Sequence, residues 1–234
     1  MNFLFLLPGA FFAPVIHEFV KARVSAALGD QTPKKNGFIT WNPFKFFEPI
    51  GFFMMMYFQV GWGQPVTTSP FYYKDKRKGI ALTYTAPIVA NLLVGIAAIT
   101  LLSILRGSLH YWAIDYGVSA ATAMSAAVRN ELNWSAVMQL NQGAPPVFFI
   151  VLGLCQAIFL FARLNIGFAL FNLIPIFPMA MNKLLHLFVS PETSMRLNHY
   201  EKPLQILLFL MLFFGVIQQL IFPIREIIIR AVTF

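Results

Sequence analysis

The stretch PVIHEFVKARV, Pro14 to Val24, starts as a metal-assisted hydrolase helix would and then departs from it. A histidine followed directly by a glutamate, with a second histidine four residues after the first, sets two imidazoles on one helix face. There they can share a zinc ion while the glutamate activates its water. His17 and Glu18 occupy the first two of those positions, and Lys21 occupies the third. A protonated lysine has no free lone pair, and its charge repels a dication. A second polar group interrupts apolar sequence at NLIPIFPMAMNK, Asn172 to Lys183. Pro175 and Pro178 remove two backbone donors there, so the helix must open where protein or a water cavity satisfies the freed groups. Polar side chains in such apolar surroundings are costly, which makes both stretches candidate sites.

The elements that must position these residues are membrane elements. Hydrophobic residues make up 58% of the 234-residue chain and charged residues 11%, with a mean hydropathy of +0.69. A soluble domain of this size has too much surface for that composition. Seventeen Lys and Arg against nine acids, with a pI near 9.8, would suit nucleic acid in a soluble chain. In a membrane chain the same excess marks loops at an anionic surface. No phosphate loop, dinucleotide fingerprint or nucleic-acid module accompanies it, so membrane lipids are expected as partners and nucleic acid is not. The single cysteine, Cys155, rules out a disulfide framework and Cys/His zinc knuckles.

Spans of about 20 apolar residues can be traced along the chain. Residues 1–28 form the first, carrying His17, Glu18 and Lys21. Residues 29–78 form a loop region whose apolar part, 46–62, is short and bounded by Pro49 and Gly61, as in a re-entrant segment. Residues 79–105 span again, 106–145 are more polar, and 146–182 form a broken span ending in NLIPIFPMAM. A loop at 183–202, a last span at 203–222 and a tail at 223–234 complete the chain. Nine of the 17 cationic residues lie between Lys21 and Lys78, against Arg106 and Arg129 in 106–145. The positive-inside rule therefore places 21–78 and 183–202 in the cytoplasm and both termini outside.

The ordered motifs resemble the site-2 protease family of intramembrane zinc metalloproteases, in particular short bacterial members without a PDZ domain. The family pattern runs HExxHA, GD-T, a G-R-L-T-L-N-P-like strand, F-G-W-A-K-P-V, an A-G-P-x-x-N span and N-L-L-P-I-P-P-L-D-G. The counterparts here are His17 to Ala22, Gly29-Asp30 with Thr32, Gly37 to Pro43, Val60 to Val66, Ala86-Pro87 with Asn91, and Asn172 to Met181. The match covers roughly Pro14 to Pro191. It implies an all-α polytopic membrane protein with a site-2-protease-like core and a re-entrant or β-containing cytoplasmic-side segment, in a bacterial cytoplasmic membrane.

Carried over position by position, the resemblance makes His17 the first zinc ligand and Glu18 the general base. Lys21 then replaces the second ligand and Ala180 the third, an aspartate in the family. No bound zinc and no zinc-dependent proteolysis are expected, and His17 and Glu18 are read as vestigial. Lys21 either pairs with Glu18, three residues earlier on the same face, or extends to the interface. Asn91, Asn172, Trp62 and Pro175 fall where the family holds substrate, so they are candidate contacts for a transmembrane partner. For the two asparagines an interhelical hydrogen bond is the competing reading. The functional expectation is a catalytically inactive homologue serving as scaffold or accessory subunit of a larger membrane complex. An active protease with unusual ligands and a transport-related subunit are the alternatives.

Overall fold

The computed structural model describes residues 3–129, 134–176 and 179–233, so Pro178 lies outside the described residues, as does the side chain of Arg129. All the regular structure within them is helical. Three helices, α1 (Phe3–Ala27), α4 (Lys76–Ile114) and α7 (Pro146–Phe171), are long and apolar enough to cross a membrane. They pack on one another as a three-helix core. Gly9 lies against Leu164 and His17 against Phe168, so α1 and α7 run parallel. Asn91 meets Asn165 while Gly95 meets Ala162, so α4 runs antiparallel to both. The chain thus alternates direction across the core, and the second half of α1 faces the first half of α4 and the end of α7.

Short elements connect these spans. α2 (Thr32–Lys35) opens with proline at its first turn. α3 (Pro49–Phe58) starts on Glu48, whose carboxylate accepts from the Ile50 and Gly51 amides, and packs against Leu6, Ala10 and Ala13 of α1. After α4 come α5 (Val118–Arg129) and α6 (Trp134–Leu140), and Ala120, Ala121 and Met124 join the core formed with Phe148 and Leu152. α8 (Ala180–Leu185) and α9 (Pro191–His199) follow α7.

Four expectations change. No strand forms among the described residues, so the β-containing part of 29–78 is not seen. Gly37 to Pro43 is irregular up to the Asn42 cap of a short 3-10 turn; beyond it the Gln64 amide donates to Phe46 O, and Val66 packs with Phe46 in a cluster that Phe38 and Ile39 join. The second span is longer than 79–105: Asp75 caps it at Lys78, Pro87 lies inside it without ending it, and it runs on to Ile114. The last span is not continuous over 203–222. It is α10 (Glu201–Phe213) and α11 (Val216–Val232), bent by 68°. Gly215, at φ +77°, makes that break, since the left-handed region favours glycine. The expected tail, 223–234, is helical through Val232.

Candidate functional site

α1 carries His17, Glu18 and Lys21 on its inward side, where they are 3%, 7% and 7% exposed. Lys21 Nζ donates to Glu18 Oε2 at 3.2 Å, and the Val66 amide donates to the same oxygen at 2.7 Å. The ammonium also lies 5.3 Å from the centroid of the Tyr84 ring on α4. Lys21 is therefore buried and paired rather than extended to an interface. Removing both charges from water is expensive, and the cost is offset only because each group has the other, plus a backbone donor and an aromatic face.

Ala180, at the start of α8, packs with Ile88, Ala169 and Tyr84. Tyr84, whose ring the Lys21 ammonium approaches, thus packs against the cluster that holds Ala180. Asn172 holds that return of the chain. Its Nδ2 donates to Phe168 O at 2.9 Å, its Oδ1 accepts from the Ala180 amide at 3.4 Å, and its own carbonyl accepts from the Met181 amide at 3.0 Å. Opening of the helix after Phe171 is thus satisfied by Asn172 and not left to a ligand.

His17 sits with its ring centroid 5.2 Å from that of Phe168. His17 Nδ1 and Asn91 Oδ1 are both buried without a partner at bonding distance. Asn91 Nδ2 instead donates to Ala13 O at 2.9 Å and to Asn165 Oδ1 at 3.1 Å, tying the three core helices at one level. Trp62 packs against Phe209 of α10, with ring centroids 5.2 Å apart, and Pro175 is exposed beyond the end of α7. Trp62 packs against the cluster that holds Phe171, next to Asn172, whereas Asn91 is buried between the core helices.

Of the three ligand positions that the resemblance marks, only position 17 carries an ordinary zinc donor. His17 offers one imidazole, the charge of Lys21 is directed at Glu18, and Ala180 has no donor atom. Glu48 caps α3, His110 Nδ1 bonds Ser125 Oγ at 3.2 Å, and His186 Nδ1 bonds Ser194 Oγ at 2.6 Å. Among the described residues no three His, Cys, Asp or Glu side chains group as metal ligands.

Two polar clusters were not anticipated as structural centres. Asp30 is fully buried just beyond α1. It accepts from Ser25 Oγ at 2.9 Å and from the Thr32 and Ser69 amides at 2.9 and 2.6 Å. Burial pushes its pKa up, but these hydrogen bonds prevail and hold it below the ordinary aspartate value. Gly29 approaches Tyr72 O and has φ +111°, a turn that a side chain would strain. The Gly29-Asp30 pair with Thr32 was visible in the sequence as a motif, but its neighbours at Ser69 and Tyr72 lie some forty residues away. The second cluster joins Arg163 of α7 to Glu226 and Arg225 of α11. Arg163 lies inside the broken span expected over 146–182, and Arg225 in the stretch expected as a tail.

The chain is 25% identical over 186 residues to the "Putative zinc metalloprotease YwhC" of Bacillus subtilis (strain 168), covering 80% of this chain and 69% of that protein. No family profile matches the chain, and no solved structure matches it. It is thus an all-helical membrane protein similar to a protein of the zinc metalloprotease type.

Proposed function

We propose that this chain is a non-catalytic relative of the site-2 proteases that holds a transmembrane partner within a larger membrane assembly. The observation that supports it is the Lys21–Glu18 contact of 3.2 Å at the second ligand position of the resemblance. A lysine ammonium there gives the glutamate a permanent counter-charge where a metal would otherwise bring one. The third ligand position, Ala180, packs against Tyr84 and Ile88 and offers no donor. Carrying over the protease activity in the relative's name would need donors at 21 and 180 that this chain lacks. In the reading proposed, residues 21–78 face the cytoplasm of a bacterial cell, in accord with their nine cationic residues.

Metal analysis of protein purified from membranes without added chelator tests the reading. The expected result is substoichiometric zinc in the wild type and stoichiometric zinc in a Lys21→His/Ala180→Asp variant, which restores three donors. Stoichiometric zinc in the wild type, or cleavage of a transmembrane substrate lost in Glu18→Gln, overturns it. Isolation in mild detergent is expected to retain a second membrane protein.

A further inference from the structure

Away from His17, α7 and α11 hold a second set of buried charges with different stoichiometry. Arg225 is fully buried. Its Nη1 donates to Gln59 Oε1 at 3.0 Å, its Nη2 lies 3.5 Å from Glu226 Oε1, and the guanidinium sits 4.2 Å from the centroid of the Phe222 ring. Arg163 Nη2 donates to that same glutamate oxygen at 2.8 Å. Two guanidinium cations therefore share one oxygen of one carboxylate. The Nε donors of both arginines are buried without a partner. Gln59, which serves Arg225, has φ +57° and is the one non-glycine residue with positive φ among the described residues. Side-chain-bearing residues hold that conformation where surrounding structure imposes it.

Charges at membrane depth ordinarily pair, because an unbalanced one is costly in hydrocarbon. Lys21 and Glu18 balance one to one; this cluster is short of one carboxylate. We propose that a partner supplies it, as a transmembrane helix carrying one Asp or Glu at mid-depth that docks across α7 and α11 and pairs with Arg163. Glu226 then serves Arg225 alone, and each cation has its own acid. The cluster opens outward where this needs it to, since Arg163 and Glu226 side chains are 12% and 38% exposed while Arg225 is closed off. On α11 the exposed Leu220, Ile224 and Ile227 form an apolar stripe at i, i+4, i+7 spacing, about a third of a turn around the helix from Glu226. Arg163 lies eight residues before Phe171, about 12 Å inside the end of α7. That depth suits a carboxylate on a helix better than a lipid phosphate at the edge of a hydrocarbon core about 30 Å thick.

The inference rests on the partner-holding reading above and gives that partner its chemistry. It is tested in phosphatidylcholine vesicles by energy transfer between the labelled full chain and a labelled leucine-rich transmembrane peptide with one central Glu or, as control, Leu. The Glu peptide is expected to associate about tenfold more tightly, in line with 1–2 kcal/mol for polar contacts between helices. Arg163→Gln is expected to abolish the difference, and Glu226→Gln, which frees Arg163 entirely, to enlarge it. Equal association of the two peptides overturns the proposal, as does a weakened preference in Glu226→Gln. Should Arg163→Gln fail to fold, the wild-type preference and the Glu226→Gln result still decide. A peptide-free arm compares thermal unfolding with and without phosphatidylglycerol; Arg163-dependent stabilisation there, with no peptide preference, assigns the cluster to a lipid phosphate and also overturns it. Zinc in the wild type would sink the non-catalytic reading and leave this preference measurable, so the two failures are distinguishable.

Discussion

Glu18 and Asp30 both pin the 66–69 segment against the end of α1, and they are neutralised in opposite ways. Glu18 Oε2 takes one ammonium, from Lys21, and one amide, from Val66. Asp30 takes only neutral donors, from Ser25, Thr32 and Ser69. Ser25 Oγ in turn lies 2.8 Å from Tyr73 OH, and Thr83 Oγ1 donates to Tyr73 OH at 3.1 Å, so the network reaches α4. Three convergent dipoles disperse a carboxylate charge without a cation. The Asp30 clasp is therefore complete in itself and reads as a folding device. Glu18 has a single amide and depends on a cation from its own helix, at the position where the resemblance expects a metal ligand.

The sharpest way to break this comparison is to remove that cation. Lys21→Met leaves Glu18 buried and unbalanced, and is expected to cost about 3–5 kcal/mol in detergent unfolding. Adding Glu18→Gln should recover most of the loss, since a neutral amide needs no counter-charge. An unchanged melting temperature in Lys21→Met would mean that the pair contributes nothing. Asp30→Asn should cost less, about 1.5–3 kcal/mol, because it removes charge-assisted hydrogen bonds but strands no ion. No compensating cation change should rescue it, in contrast to Glu18.

Acid separates the two sites further. Since the folded pKa of Asp30 lies below its ordinary value of 3.8, the ionised carboxylate contributes stability above that value and loses it as pH falls through the lower folded one. The wild type should thus destabilise across that acid window, and Asp30→Asn should lack this part of the loss. Parallel acid curves for the two proteins would remove Asp30 from the account.

How much of this could be read in advance depended on whether a residue's partner lay nearby in sequence. Lys21 and Glu18 are three residues apart on one helix, so helical spacing offered their contact as one of two readings, and burial decided for it. The three core spans showed as apolar runs of sufficient length, although the second one, capped by Asp75, runs further than its most apolar part. The break at Gly215 was hidden because Phe213, Phe214 and Val216 keep the run apolar on both sides; the glycine, with Gln218 and Gln219 beyond it, was the available signal. Arg225 and Arg163 are 62 positions apart, and nothing local told that one glutamate serves both. Asn172 looked like a site residue from its motif, and the fold uses it to close the turn that Pro175 leaves open.

Asn91 poses the same choice between site and scaffold at the smallest scale. Its Nδ2 bridges Ala13 O of α1 and Asn165 Oδ1 of α7, as an interhelical fastening would, while its Oδ1 is left beside His17. In a double-mutant cycle, Asn91→Ala and Asn165→Ala should couple by about 0.6 kcal/mol, the usual size of a hydrogen bond between membrane helices. Each single substitution should also lower the unfolding temperature slightly while leaving capture of a membrane partner unchanged. If Asn91→Ala abolished that capture without measurable coupling to Asn165, the polar level between the three helices would be a binding surface that the fold merely borders. Its unpaired Oδ1 would then be the atom to follow, because a buried acceptor without a donor is costly wherever no partner arrives to satisfy it.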